Sequence, residues 1–79
     1  MDIMETIRSR YSEVSSVQKR IADYCLEHPD KASFQTLREF AQTTHTTDAT
    51  VLKFCSNMGY HGFLAFRRQL QEYVRMRLS

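Results

Sequence analysis

The groups in this chain that could do covalent or acid–base chemistry are few: His28, His45 and His61, Cys25 and Cys55, and nine carboxylates. No nucleophile–base–acid set, no metal-ligand spacing and no glycine-rich phosphate loop joins them. His28 reads as a helix C-terminal residue favoured by the helix dipole. The two cysteines fall in apolar helical stripes and read as buried thiols of a reducing compartment. No catalysis, metal or cofactor is expected. A different chemistry stands out in a single short stretch. Thr47, Asp48, Ala49, Thr50, Lys53 and Ser56 share one side of a helix whose other side holds Val51, Phe54, Cys55 and Met58. Thr and Ser hydroxyls can donate to or accept from base edges and phosphates, and a Thr methyl can meet a thymine methyl. Lys53 can reach a guanine edge or a phosphate. Asp48 suits the positive end of the helix dipole, or can accept from a cytosine amino group.

Such a face is useful only if neighbouring elements hold it outward. The segment LREFAQTTHTTDATVLKFCSN, residues 37–57, describes two short helices with a turn between them, the spacing of a helix-turn-helix. Ala41 supplies the small residue needed where the helices cross. His45 occupies a turn position that demands positive φ, where His is among the enriched non-glycine types. Thr47 caps the recognition helix, expected over 48–58, and Gly59 stops it. Periodicity places further helices over 2–12, 15–28, 36–44 and 63–78, with Pro29 ending the second. Ser15 with Gln18, and Thr36 with Glu39, have the spacing of capping boxes. In the second helix, Val17, Ile21, Tyr24, Cys25 and His28 share a stripe. Residues 30–35 read as a connector with one short turn, from which Phe34 plugs into the core. The last helix directs Phe66, Leu70, Tyr73 and Val74 inward. The expected architecture is all-α: a five-helix, homeodomain-like helix-turn-helix bundle without a β-wing.

Composition agrees. Seventy-nine residues fit one domain, and 2 Gly with 1 Pro suit helices joined by short turns. The net charge is +2, but residues 1–30 carry four basic and six acidic side chains, while residues 31–79 carry seven and three. The basic half is the one containing the helix-turn-helix, which points toward a polyanion. MDIMETIRSRY is neither a signal peptide nor a membrane span, and a cytoplasmic location is expected. Residues alone leave a helical protein-protein interaction module as the alternative.

Several blocks in order carry a resemblance: KRIADY followed by His-Pro, the short helix with Ala41, T-x-x-T-V-x-K-F, and MGYHGF. Over most of its length the chain resembles the N-terminal domain of the RpiR family of bacterial transcriptional regulators. The resemblance implies a DNA-binding domain, with Thr47, Thr50 and Lys53 on its recognition helix. It also implies a sugar-isomerase-type domain following this one, where a sugar-phosphate effector binds. On that reading residues 1–79 are a single domain excised from a longer regulator. The sequence departs from the family pattern at His45, usually Gly; at Thr46, usually apolar; at Lys53, usually Arg; and at His61, commonly Lys. Lysine lacks the bidentate fork with which arginine reads guanine.

The expected partner is double-stranded DNA, read by a homodimer on a two-fold operator. Thr47, Asp48, Ala49, Thr50 and Lys53 are the base-facing candidates. Gln35, Thr36, Ser56, Asn57, Tyr60 and His61 are the candidates for the sugar-phosphate backbone. Leu64, Met76 and Leu78 are candidates for pairing two copies.

Overall fold

Short polar side chains close the first turn of most helices. In the computed structural model, which describes residues 1–78, helix α1 spans Ile3–Arg10. Asp2 accepts from the Glu5 N–H at 2.9 Å, and Glu5 accepts in return from the Asp2 N–H at 3.2 Å. A single 3-10 turn, Tyr11–Glu13, leads into α2, Ser16–Glu27. Ser15 accepts from the Gln18 N–H as expected, at 3.2 Å. The reciprocal half of that box does not form, because Gln18 is buried and turned toward another helix. With Gln18, Ile21, Ala22 and Cys25 forming the inner stripe, Val17 and His28 are rotated off it and stay exposed.

Pro29 ends α2 and begins α3, Pro29–Ala32, at a position where its missing N–H has no helical partner to lose. The expected connector is thus a short sixth helix. Its packing corrects the placement of Phe34. Ala32 and Ser33 fill the space beside the last helix, and Gln71 Nε2 donates to the Ser33 carbonyl at 3.0 Å. With that space taken, Phe34 points outward and is 79% exposed.

Helix α4, Leu37–Thr43, has the complete capping box that its sequence predicts, with Thr36 and Glu39 bonded reciprocally at 2.9 and 3.2 Å. Helix α5, Asp48–Asn57, and α6, Phe63–Leu78, complete the bundle. Gly59, at φ 95°, turns the chain out of α5 as expected. The core is centred on Phe40, Phe54 and Phe66, all fully buried. Phe66 meets Phe40 and Phe54 edge-on, at 6.2 and 5.8 Å between ring centres. Such pairs add about 0.5–1.5 kcal/mol beyond area burial. Phe66 and Leu70 lie inside, while Tyr73 and Val74 are half-buried. No strand, and hence no β-wing, occurs among the described residues. Ser79, the last residue of the expected domain, lies outside them.

Candidate nucleic-acid interface

Helix α5 shows how its two faces divide. Residues step about 100° around a helix, so Val51, Phe54, Cys55 and Met58 fall on one side, and all are buried. Ala49, Leu52, Lys53 and Ser56 fall opposite and are exposed. The helix is 10 residues long, and an α-helix with its side chains is about 10–12 Å across, which matches a major groove about 12 Å wide. Its outer ridge is slim: an alanine, a serine, one lysine and a leucine.

Thr47 and Thr50 stand on one flank and are tied together. The Thr47 hydroxyl accepts from the Thr50 N–H at 3.1 Å and lies 3.0 Å from the Thr50 hydroxyl. Thr47 therefore performs the capping expected of it. Asp48, in the first turn, instead forms an ion pair with Arg38 of α4 at 3.7 Å. Arg38 is a cation that sequence reasoning passed over. It is 76% exposed and borders the leading end of α5. Its signal was available: it lies in the first helix of the pair, off the face defined by Phe40 and Ala41, where that helix would cross a DNA backbone.

The turn holds the expected strain. His45 has φ 57°, the only positive value at a non-glycine among the described residues. The Thr46 N–H reaches back to the Ala41 carbonyl at 2.9 Å. Thr46 places its hydroxyl 2.9 Å from that of buried Thr44. Thr44 is in turn bonded to the carbonyls of Phe40 and Ala41, so the polarity is accommodated.

The structure sorts the backbone candidates into two groups. Thr36, Ser56 and His61 are exposed. Gln35 and Tyr60 are half-buried and have internal roles, and Asn57, although also exposed, is engaged within the domain. Gln35 accepts from the Tyr24 hydroxyl at 2.6 Å and donates to Thr43 at 2.8 Å. Asn57 donates to Gln18 at 2.9 Å, and its carbonyl accepts from Arg10 at 2.8 Å. Tyr60 packs edge-on against Phe66, and its partial burial raises its hydroxyl pKa above the ordinary value of 10.0. Arg67 is held by the Gln35 carbonyl at 3.1 Å and by the Phe63 ring, whereas Arg68 is exposed.

A capped polar helix projecting from a strained turn over a helical base defines a helix-turn-helix domain of the DNA-binding class. Within that class the chain belongs to the rpiR family, whose helix-turn-helix domain model matches residues 1–76. It is 35% identical over 66 residues to YfhH, an HTH-type transcriptional regulator of Escherichia coli K12, over 84% of this chain and 23% of that protein. It is also similar to NanR of Vibrio vulnificus, whose structure was solved in complex with ManNAc-6P. That likeness has a TM-score of 0.91 at 32% identity, over 98% of this chain and 30% of NanR. The N-terminal domain of YbbH, a putative transcriptional regulator of Bacillus subtilis, matches with a TM-score of 0.82 at 28% identity, over 87% of this chain and 84% of that one. The chain spans about a quarter of the length of the curated relatives it matches. No helix among the described residues is long and apolar enough to cross a membrane.

Proposed function

We propose that this chain is the operator-reading domain of a longer, cytoplasmic, non-enzymatic regulator, and that α5 lies in the major groove of duplex DNA. The observation that carries the proposal is the outward polar ridge of α5, with its apolar side buried and its backbone capped by Thr47. Ala49 and Lys53 face the bases, flanked by Thr47, Thr50 and Asp48. Thr36, Ser56 and His61 meet the sugar-phosphate backbone, with Arg38 beside them. Gln35, Asn57 and Tyr60 serve the same interface indirectly by fixing the helices that carry it. Two copies bind together, each reading one half-site. Exposed Leu64 and Leu78 on one side of α6, with Phe34 beside Leu78, offer apolar surface for that pairing, and exposed Met76 offers a separate apolar contact on the other side of the helix. A sugar phosphate binding to a C-terminal domain beyond this chain is the proposed effector, by kinship with NanR.

The test is a titration by fluorescence anisotropy against a duplex selected by the chain from a random pool. Replacing Lys53 with Ala should weaken binding by about tenfold, the worth of one base contact, with helicity unchanged. Wild-type affinity should fall steeply between about 50 and about 200 mM salt as counterions are released. An affinity indifferent to salt would instead favour a protein-interaction module.

A further inference from the structure

Helix α4 ends on carbonyls that need partners from outside the helix. The turn satisfies part of this demand itself: the N–H groups of Thr44, His45 and Thr46 return to the carbonyls of Phe40, Gln42 and Ala41. The carbonyls of Thr44 and His45 lie beyond that local pattern, and the second belongs to the left-handed residue. One guanidinium reaches both. Arg20 donates from Nε to the Thr44 carbonyl at 3.3 Å and from a terminal nitrogen to the His45 carbonyl at 2.6 Å. Arg20 lies on α2, 24 and 25 residues earlier in the chain. The carbonyls it holds orient the peptides that carry the chain into Thr47, the cap of α5. At the far end of α5, Gln18, two residues before Arg20 on α2, accepts from Asn57, while Arg10 donates to the Asn57 carbonyl. Apolar burial sets which face of α5 is inward and how deep it sits. Non-directional contacts leave its sliding and tilt less defined, and directional bonds at the two ends restrict both.

We propose that Arg20 is a positioning residue for DNA readout: by holding the strained turn at His45 it sets where α5 begins, and so the register at which its outer face meets base edges. The proposal rests on the reading that α5 occupies the major groove. Arg20 acts through backbone carbonyls rather than by touching DNA, so its loss should damage discrimination more than general attraction.

The experiment uses two probes, a duplex selected from a random pool by the wild-type chain and a random-sequence duplex of equal length. R20A should weaken binding to the selected duplex by about tenfold, and to the random one by about twofold or less. R20K, which keeps the charge and one point of contact, should recover part of the discrimination. Glycine adopts positive φ without strain, so in an H45G background the R20A loss should shrink to about threefold or less. Amide NMR spectra of R20A should shift through residues 44–57 and stay fixed along α6, with cooperative melting retained. Equal losses on both duplexes would overturn the proposal, since Arg20 would then be an ordinary attractive charge. An undiminished R20A loss in H45G, or unshifted amides over 44–57, would overturn it as well. If the wild-type chain binds neither duplex, the groove reading falls, and the spectra still decide whether Arg20 places α5.

Discussion

His45 concentrates the local strain of the domain in one pair of torsions. A side chain at φ 57° costs about 1–2 kcal/mol relative to the right-handed region. Glycine removes that cost but gains freedom in the unfolded chain, which offsets part of the benefit. H45G is therefore expected to stabilise the fold by about 0.5–1 kcal/mol, raising Tm by about 2–8 °C. Thermal unfolding followed by circular dichroism checks this, and an unchanged or lower Tm would mean that the imidazole itself contributes stabilising contacts. Lys53 is the complementary residue-scale case. It is exposed on the outer ridge, so its removal should cost affinity and leave stability untouched.

At the scale of the element, α5 depends on its cap. Only one hydroxyl, that of Thr47, receives the Thr50 N–H, and it sits at the junction of the strained turn and the helix. Replacing Thr47 with Ala should cost about 1 kcal/mol of unfolding free energy in urea, while T47S should stay close to wild type. Equal stability of T47A and wild type would show that the Arg38–Asp48 side of the helix end suffices. An exposed ion pair is a weak substitute, since such pairs contribute about 0–1 kcal/mol. The α2 platform adds a second layer of control, because Gln18 holds the far end of α5 while Arg20, on a different side of the same helix, holds the turn that leads into it.

The whole molecule is a small helical core closed around three phenylalanines and two buried thiols. Burial raises the Cys25 thiol well above its ordinary value of 9.0 and pushes Cys55 up to about 12. The folded state thus keeps protons that the unfolded chain releases. The stabilisation is complete below pH 9 and declines as pH rises from there toward about 12. The limiting slope is about 1.4 kcal/mol per pH unit for each thiol. Urea unfolding across this alkaline range should show the decline, and the C25A variant should flatten it. Tyr24, raised by its own partial burial, contributes in the same direction at higher pH. A stability that holds constant through the alkaline range would contradict the burial of both thiols.

Much of this arrangement is legible in the chain because the signals are local. Thr36 with Glu39, Thr47 before an apolar period, Gly59 after it and His45 in a left-handed place each act within a few residues, so spacing alone locates the turn and the helix it launches. Tertiary structure decided what spacing cannot express. Phe34 faces solvent because Ala32 and Ser33 take the room beside α6. Gln18 abandons its own cap for Asn57, 39 residues away. Arg20 grips the turn across a comparable separation, and Arg38 finds Asp48 on the next helix. Helical periodicity records which side of an element is apolar, but a polar side chain chooses its partner by distance in space, and that distance exists only once the elements have packed.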